Sequence, residues 1–219
     1  MTERGNRHYR RIRVERVHAR EKITLSYPER RNAIGPLMTN ELLYALDDAL
    51  ADDEVRLIVL TGEGKTFSAG GDFAQMDVSA APSASPSDAS SPPESTAHPV
   101  KGDYLDLIQR LMRADKPVIA RVNGHALGLG LGIVAACTFS IALKDAQFGT
   151  PEVNVGLFPV MVMALLQRVV PRRQLLEMMV LGEKIDAMDA ERFGLINHAA
   201  ARTSTTRVRA ALAARTKRR

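Results

Sequence analysis

Apolar residues along the chain fall into two patterns: short continuous runs, and longer segments in which apolar positions recur at helical spacing. The runs predict two short strands within residues 11–27, turning near 19–21, and further strands at 55–61, 117–122, 138–143 and 195–198. The helical spacing predicts helices at 38–51, 104–112, 161–169, 174–181 and 187–193. Because strands, loops and helices follow one another repeatedly, the sequence predicts an α/β fold.

A Ser-, Pro- and Ala-rich composition between residues 78 and 100 interrupts this order. A segment without aromatic residues buries too little apolar surface to order itself, so we predict a flexible loop at 78–100. Neither flank looks complete by itself, and we therefore predict one domain over residues 1–198 with this loop inside it. Residues 199–219 are rich in alanine and arginine and predict a basic tail or a short helix.

The formal net charge is +5, and the basic excess lies at the two ends of the chain. No nucleic-acid-binding motif accompanies these charges, so we expect no nucleic-acid partner, and an anionic small ligand fits the mild positive balance better. No apolar run approaches the ~18 residues that a membrane-spanning helix requires, so we expect no membrane association.

The cysteine count and the N-terminal residues indicate the cellular location, and the spacing of His, Cys and Asp indicates whether a metal site is present. Cys137 is the one cysteine, so it forms no disulfide within the chain, and the N-terminal residues lack the apolar core of a secretory signal. We therefore expect a reducing, cytoplasmic location. No cluster of His, Cys and Asp has metal-ligand spacing, and we expect no metal.

Two glycine-rich loops follow predicted strands. One is S-A-G-G-D-F at residues 68–73, and the other is V-N-G-H-A-L-G-L-G-L-G at 122–132, which precedes an apolar helical pattern. A strand that enters such a helix brings backbone N–H groups to the helix N-terminus, where they suit an anion or a developing oxyanion. Alternatively, the glycines only let the helix pack closely against a sheet. The stretch by itself leaves both interpretations open.

Six motifs occur in order along the chain: E-R-R-N-A-I, V-R-L-I-V-L-T-G, F-S-A-G-G-D-F, K-P-V-I-A-R-V-N-G-H-A-L-G, A-Q-F-G-T-P-E and A-E-R-F-G-L-I-N. Over residues 12–198 they resemble the crotonase superfamily, which includes the enoyl-CoA hydratases and isomerases. The resemblance implies a crotonase-like ββα spiral with a shortened C-terminal helical region, assembled as a homo-trimer or hexamer. The ligand would be an acyl-CoA thioester, and no separate cofactor is expected because coenzyme A is part of the substrate.

The resemblance also implies where the thioester binds. The backbone N–H groups of Gly71 and Leu129 would form an oxyanion hole for its carbonyl oxygen. The implied substrate and coenzyme A contacts are Arg31, Asn32, Ala33, Gly71, Asp72, Phe73, Ala74 and Leu129. Of these, Ala74 stands at the position of a family lysine near the CoA phosphates.

Carboxylates would carry the chemistry. The hydratases of the family have two glutamates; the second corresponds to Glu152, whereas Gly132 stands at the position of the first. A single carboxylate, its pKa raised by apolar neighbours, can remove a proton from C2 of a 3-enoyl-CoA and return it to C4. We therefore predict an isomerase-type enzyme in which Glu152 is the catalytic base and acid.

Two alternatives stay open. One is a hydratase that converts 2-enoyl-CoA to 3-hydroxyacyl-CoA with a single glutamate to handle the water. The other is a non-catalytic acyl-CoA-binding protein, suggested by Gly132 and by the short stretch after the G-L-I-N motif. Without the resemblance, Pro151-Glu152 at the end of a strand would be interpreted as a surface acid.

Overall fold

Residues 7–72 and 98–201 are described by the structure, which is a computed structural model of the chain. They form two β-sheets with helices packed against them, and the predicted α/β class is confirmed. Within these two ranges no helix has the length and apolar character needed to cross a bilayer. The same ranges contain no group of three His, Cys, Asp or Glu side chains arranged to hold a metal ion.

The larger sheet is parallel except at one edge. In spatial order, its strands in the described residues are β1 Ile12–Val17, β2 Arg20–Leu25, β3 Leu57–Gly62, β5 Val118–Val122, β7 Phe139–Leu143 and β10 His198–Ala200. β1 and β2 pair as an antiparallel hairpin, and every following pair is parallel. Ile58, Val118 and Ala120 are completely buried, as expected for parallel strands that are covered on both faces.

The smaller sheet contains short strands: β4 Thr66–Ser68, β6 His125–Leu127, β8 Gln147–Gly149 and β9 Ile185–Asp186. The first three are parallel, and β9 is antiparallel to β8. Along the chain, β3, β5 and β7 of the larger sheet are each followed by one strand of the smaller sheet and then by a helix. This repeated β-β-α order is the spiral that the resemblance implies.

The α-helices of the described residues are α1 Pro36–Ala51, α2 Tyr104–Met112, α3 Gly128–Ala136, α4 Val160–Leu166, α5 Arg172–Leu181 and α6 Ala187–Arg192, and 3-10 helices lie at Pro28–Arg30 and Pro151–Val155. α2 begins at a capping box formed by the side chains of Asp103 and Asp106. α3 is apolar on all sides, and Leu131 and Ile133 on it are completely buried. A helix without a polar face belongs in the interior, so α3 lies within the core.

Most long elements agree with the sequence prediction, but the smaller sheet was not predicted. The helix expected at 104–112 coincides with α2, and the strands expected at 55–61, 117–122 and 138–143 correspond to β3, β5 and β7. β4, β6, β8 and β9 have only two or three residues each, too few to show an alternating pattern. They form because strands distant in the sequence pair with them, which no local pattern encodes.

The predicted loop at 78–100 and the predicted tail at 199–219 lie largely outside the described residues. At the end of the loop, the Asn40 side chain on α1 donates to the Pro99 carbonyl at 3.1 Å and accepts from the Lys101 N–H at 2.7 Å. The chain is therefore attached to α1 before α2 begins. β10 begins at His198 and ends at Ala200, so the strand predicted at 195–198 overlaps it at one residue, and the domain boundary predicted at residue 198 stays a prediction.

Candidate active site

The first glycine loop lies beside Ile34. The Ile34 N–H donates to the Gly70 carbonyl at 2.8 Å, and the Asp72 N–H donates to the Ile34 carbonyl at 3.0 Å, which is the pattern of a parallel bridge. In such a bridge the residue between the two partners has its own N–H on the opposite side, so the Gly71 N–H points away from Ile34. Gly70 has a φ of +109°, a conformation that favours glycine.

The second glycine loop forms the N-terminus of α3. The helix begins at Gly128, and the preceding Leu127 supplies no side-chain cap. The Leu129 N–H lies in the first turn, where helical N–H groups have no carbonyl partner within the helix. A Cβ added at Gly128 would lie 3.4 Å from the Gly70 Cα, so the two loops are in contact. The fold thus brings together the segments that contain Gly71 and Leu129.

Glu152 lies in the 3-10 helix Pro151–Val155, and its carboxylate packs against Gly128. A Cβ at Gly128 would collide with Glu152 Oε1 and lie 3.1 Å from Cδ. Glu152 Oε2 is buried and has no hydrogen-bond partner among the residues that the structure describes. Desolvation by burial raises the pKa of Glu152 above its ordinary value, and a hydrogen bond from its own backbone opposes that shift. A half-buried acid with one buried, unused oxygen therefore lies at the N-terminus of α3.

Hydrogen bonds fix the backbone on both sides of Glu152. Before it, the Thr150 hydroxyl donates to the Met178 carbonyl of α5 at 3.1 Å, in a buried position. After it, the Leu157 N–H donates to the Glu152 carbonyl at 3.0 Å, and the 3-10 helix ends at Gly156 with a φ of +77°. The fold therefore holds the backbone that carries the carboxylate.

The glycines of α3 have different neighbours. A Cβ at Gly130 would lie 2.5 Å from the Cβ of Ser68, so Gly130 allows α3 to pack closely against β4. Gly128 borders the carboxylate of Glu152 instead, and Gly132 borders the hydroxyl of Tyr104. The close-packing interpretation therefore applies at Gly130, whereas the glycines on either side of it border the candidate site.

Tyr104 is a residue of this site that sequence reasoning missed. Its hydroxyl donates to the Leu129 carbonyl at 2.6 Å, and both residues are buried. Burial, and secondly the negative charge of Glu152, raise the pKa of Tyr104, so the hydroxyl stays protonated. In the sequence Tyr104 begins an ordinary amphipathic helix, and only the fold connects it with a residue 25 positions further on.

Among the predicted coenzyme A contacts, Asn32 has a clear structural role. Its side chain is completely buried and accepts from the Tyr27 N–H at 2.9 Å. It donates to the carbonyls of Glu63 and Thr66 at 3.0 and 2.9 Å. With these bonds formed, the side chain connects the turn after β2 to the segment from Glu63 to the start of β4, and the residue has no exposed surface for a ligand.

The other predicted contacts differ in exposure. Arg31 is exposed in a left-handed turn with a φ of 50°, whereas Ala33 is buried. The buried Asp72 carboxylate accepts from Arg30 Nη2 at 2.9 Å, which ties the first glycine loop to the 3-10 helix Pro28–Arg30. Two of the predicted contacts, Phe73 and Ala74, lie outside the described residues.

Comparison with known sequences decides the family. The sequence pattern of the family described as enoyl-CoA hydratase/isomerase matches residues 18–218. This chain belongs to the enoyl-CoA hydratase/isomerase family. The resemblance to the crotonase superfamily is thereby confirmed, and the chain is a member of a family of acyl-CoA-processing enzymes.

Relatives and solved structures agree with this assignment. A protein of Thermus thermophilus with "enoyl-CoA hydratase" in its name is 34% identical over 86% of this chain and 70% of its own length. The mouse enoyl-CoA hydratase domain-containing protein 3, mitochondrial, is 33% identical over 80% of this chain and 54% of its own length.

An enoyl-CoA hydratase from Mycobacterium smegmatis has a similar solved structure, with a TM-score of 0.80 and 30% identity. The match covers 94% of this chain and 76% of that protein. The solved structure of the human domain-containing protein 3 is also similar, with a TM-score of 0.78 and 26% identity, and covers 94% and 77%. These proteins share the crotonase fold, so the fold predicted from the motifs is confirmed.

Proposed function

We propose that the chain is an enoyl-CoA isomerase-type enzyme in which Glu152 carries one proton. The observation that supports this most is the buried Glu152 Oε2, which has no hydrogen-bond partner within residues 7–72 and 98–201. A buried carboxylate oxygen without a hydrogen bond is destabilising, and such groups occur where function requires them. We infer that this oxygen accepts the proton of a C–H group next to the thioester carbonyl of a bound substrate.

The reaction would proceed through an enolate. The Glu152 carboxylate removes a proton from C2 of a 3-enoyl-CoA, and the electron pair is delocalised over the thioester oxygen and C4. The N–H groups of Gly71 and Leu129 stabilise the negative oxygen, each worth about 3 kcal/mol in comparable sites. Glu152, now a carboxylic acid, returns the proton to C4, and the double bond lies between C2 and C3.

Burial of Glu152 suits both halves of this cycle. A carboxylate in water is too weak a base for a C–H bond, and desolvation raises its pKa toward that of a more effective base. The same shift keeps the acid protonated until C4 accepts the proton.

The test follows both possible reactions with two substrates. The wild type is incubated with a 3-enoyl-CoA and with a 2-enoyl-CoA, and double-bond migration and hydration are measured separately. We expect migration, and we expect Glu152→Gln to abolish most of it. Glu54→Gln is the matched control, because Glu54 is an exposed glutamate in the turn between α1 and β3. A Glu152→Gln variant with wild-type turnover would contradict the proposal.

A hydratase is the second candidate, and the names of the relatives favour it. In that case Glu152 alone would activate the water. The experiment above distinguishes the two, because only a hydratase forms 3-hydroxyacyl-CoA from 2-enoyl-CoA, whereas an isomerase only moves the double bond. Coenzyme A thioester binding without either reaction would instead support a non-catalytic acyl-CoA-binding protein.

The acyl-CoA partner and the assembly are part of the same proposal. We infer a homo-trimer or hexamer, and apolar side chains exposed around the 3-10 helix Pro151–Val155, α4 and α5 support a surface that another copy covers. The most exposed are Val155, Phe158, Val160, Val180 and Leu181. Light scattering on the purified chain measures its mass, and a monomer would contradict this part. The cytoplasmic location stays a prediction.

A further inference from the structure

A side chain at position 132 and the hydroxyl of Tyr104 would occupy the same space in the fold. Gly132 lies one helical turn after Leu129 on α3, and a Cβ added there would collide with the Tyr104 hydroxyl oxygen. The same Cβ would lie 3.2 Å from Leu165 Cδ1 and 3.5 Å from Tyr104 Cζ. The distance to Leu165 Cδ1 is a tight contact, and the distance to Tyr104 Cζ is an ordinary one. The hydroxyl oxygen of Tyr104 is therefore the main obstacle to a side chain at position 132.

The hydroxyl cannot leave this place without breaking a buried hydrogen bond. It donates to the Leu129 carbonyl at 2.6 Å, and Tyr104 is only 8% exposed. The capping box of Asp103 and Asp106 fixes the first turn of α2, where Tyr104 lies. Moving the ring would leave the buried hydroxyl without its acceptor, an arrangement that folded proteins avoid.

The hydroxyl also lies near the proposed proton carrier. The charge of Glu152 contributes to the raised pKa of Tyr104, so the two side chains share one electrostatic environment. On α3, Gly128 borders the carboxylate and Gly132, about one turn further on, borders the hydroxyl. An acidic side chain at position 132 would therefore enter the same site as Glu152.

We propose that Tyr104 is a specificity-determining residue that restricts the site to a single carboxylate. Its hydroxyl, held by the Leu129 carbonyl, fills the place that a side chain at position 132 would need. No second acid can then stand beside Glu152 to activate a water molecule, and proton transfer within the acyl chain is favoured over hydration. The inference rests on the proposed isomerisation and names the residue that excludes the competing reaction.

A stability cycle of two single variants and their double variant tests whether the Tyr104 hydroxyl excludes a side chain at position 132. The melting temperatures of Gly132→Ala, Tyr104→Phe and the double variant are compared with that of the wild type. We expect Gly132→Ala to lower the melting temperature, and we expect Tyr104→Phe in the same chain to recover most of that loss by removing the colliding oxygen. A Gly132→Ala variant as stable as the wild type, or no recovery in the double variant, would overturn the proposal.

The ratio of hydration to isomerisation tests whether Tyr104 determines the reaction specificity. Tyr104→Ala/Gly132→Glu is compared with its matched control Tyr104→Ala/Gly132→Gln, using hydration of a 2-enoyl-CoA and isomerisation of a 3-enoyl-CoA. We expect the ratio of hydration to isomerisation to be at least about tenfold higher with glutamate than with glutamine, because a second carboxylate can activate water. Gly132→Glu with Tyr104 retained should show no such rise.

Equal ratios in the two double variants, or the same rise while Tyr104 is retained, would overturn the proposal. The wild type in the same assay separates this failure from failure of the proposed function. A wild type that moves no double bond contradicts the isomerase, whereas an active wild type whose product ratio ignores Tyr104 contradicts only the role of the tyrosine. If the glutamate variants do not fold, the stability cycle decides by itself.

Discussion

Glu41 and Glu152 are two glutamates at least partly buried in the same fold, and they differ in what their oxygens contact. Glu41 on α1 is 1% exposed, and its two carboxylate oxygens accept the N–H groups of Arg10 and Arg11, each at 2.8 Å. Glu152 is less buried, yet its Oε2 has no hydrogen-bond partner in the described part of the chain. The chain uses the first acid to hold its N-terminal segment against α1, and the second has an oxygen left for a ligand.

The difference shows that burial by itself does not mark a catalytic acid. A buried carboxylate whose two oxygens both accept backbone hydrogen bonds has a structural partner for each oxygen. A desolvated carboxylate without such donors binds a proton more readily. Substitutions at Glu152 should therefore act mainly on turnover, and substitutions at Glu41 mainly on stability.

The largest expected effect is on turnover. Replacing Glu152 by glutamine removes the group that takes and returns the proton, and we expect kcat to fall by about 10²–10⁴-fold. Glu41→Gln should keep the wild-type kcat in the folded fraction, because Glu41 supports only the N-terminal segment. Steady-state kinetics on both variants measures this. Equal losses of kcat in the two variants would contradict the different roles of Glu152 and Glu41.

Gly128→Ala should give the next largest effect. Gly128 has a φ of +48°, and an added Cβ would collide with the Glu152 carboxylate. We expect a loss of stability of about 1–3 kcal/mol together with a fall in kcat, since both backbone strain and the displaced acid contribute.

Gly64→Ala is the matched control for that substitution. Gly64 has a φ of +73°, and a Cβ there would meet nothing within 4 Å. It should therefore lose stability through strain while kcat stays unchanged. A Gly128→Ala variant with the wild-type kcat, as expected for Gly64→Ala, would contradict the position of the Glu152 carboxylate beside Gly128.

Stability should respond at Glu41. Glutamine keeps one acceptor oxygen but turns an N–H group toward one of the two backbone donors. We expect the free energy of unfolding to fall by about 1–3 kcal/mol. Urea unfolding measures this, with Glu54→Gln as the exposed control. An unchanged free energy of unfolding would mean that the two hydrogen bonds contribute nothing.

The smallest effect is a pH dependence at Glu152. Its pKa in the folded chain is raised above the ordinary value of 4.5, so the folded chain holds this proton more tightly than the unfolded chain does. The stability contribution is fully present below 4.5 and is lost as the pH rises through the folded pKa. Glu152→Gln should therefore be slightly more stable than the wild type at about pH 8 and not at about pH 4.

Thermal unfolding of both proteins at the two pH values measures that difference. A variant that is less stable than the wild type at about pH 8 would reverse the sign of the shift. The acid limb of kcat/KM should likewise lie above 4.5, because the base must be ionised before it can accept a proton.

Prediction from the sequence succeeded where the information is local or is carried by ordered motifs. α2 and the buried strands β3, β5 and β7 follow from spacing and from apolar runs, and the family follows from six motifs together. The short strands of the smaller sheet were missed because distant pairing alone defines them. The side-chain role of Asn32 could not be read from its motif either, since two of its three hydrogen-bond partners, Glu63 and Thr66, lie 31 and 34 residues further along the chain.

The candidate site shows the same limit. Glu152 was predicted from the resemblance, whereas its orphaned oxygen and its contact with Gly128 are properties of the packed chain. Tyr104 was missed because a tyrosine at the start of an amphipathic helix has no distinguishing pattern. Gly132 was noticed as a departure from the hydratases, but only the fold shows the tyrosine hydroxyl that fills the space beside it.

The proton path can be followed directly with a 3-enoyl-CoA that carries deuterium at C2. If Glu152 takes the deuteron and gives it to C4, part of the label must appear at C4 of the 2-enoyl-CoA in a single turnover, and Glu152→Gln must form almost no product. A Glu152→Gln variant that forms product at the wild-type rate with the wild-type label distribution would show that another group moves the proton.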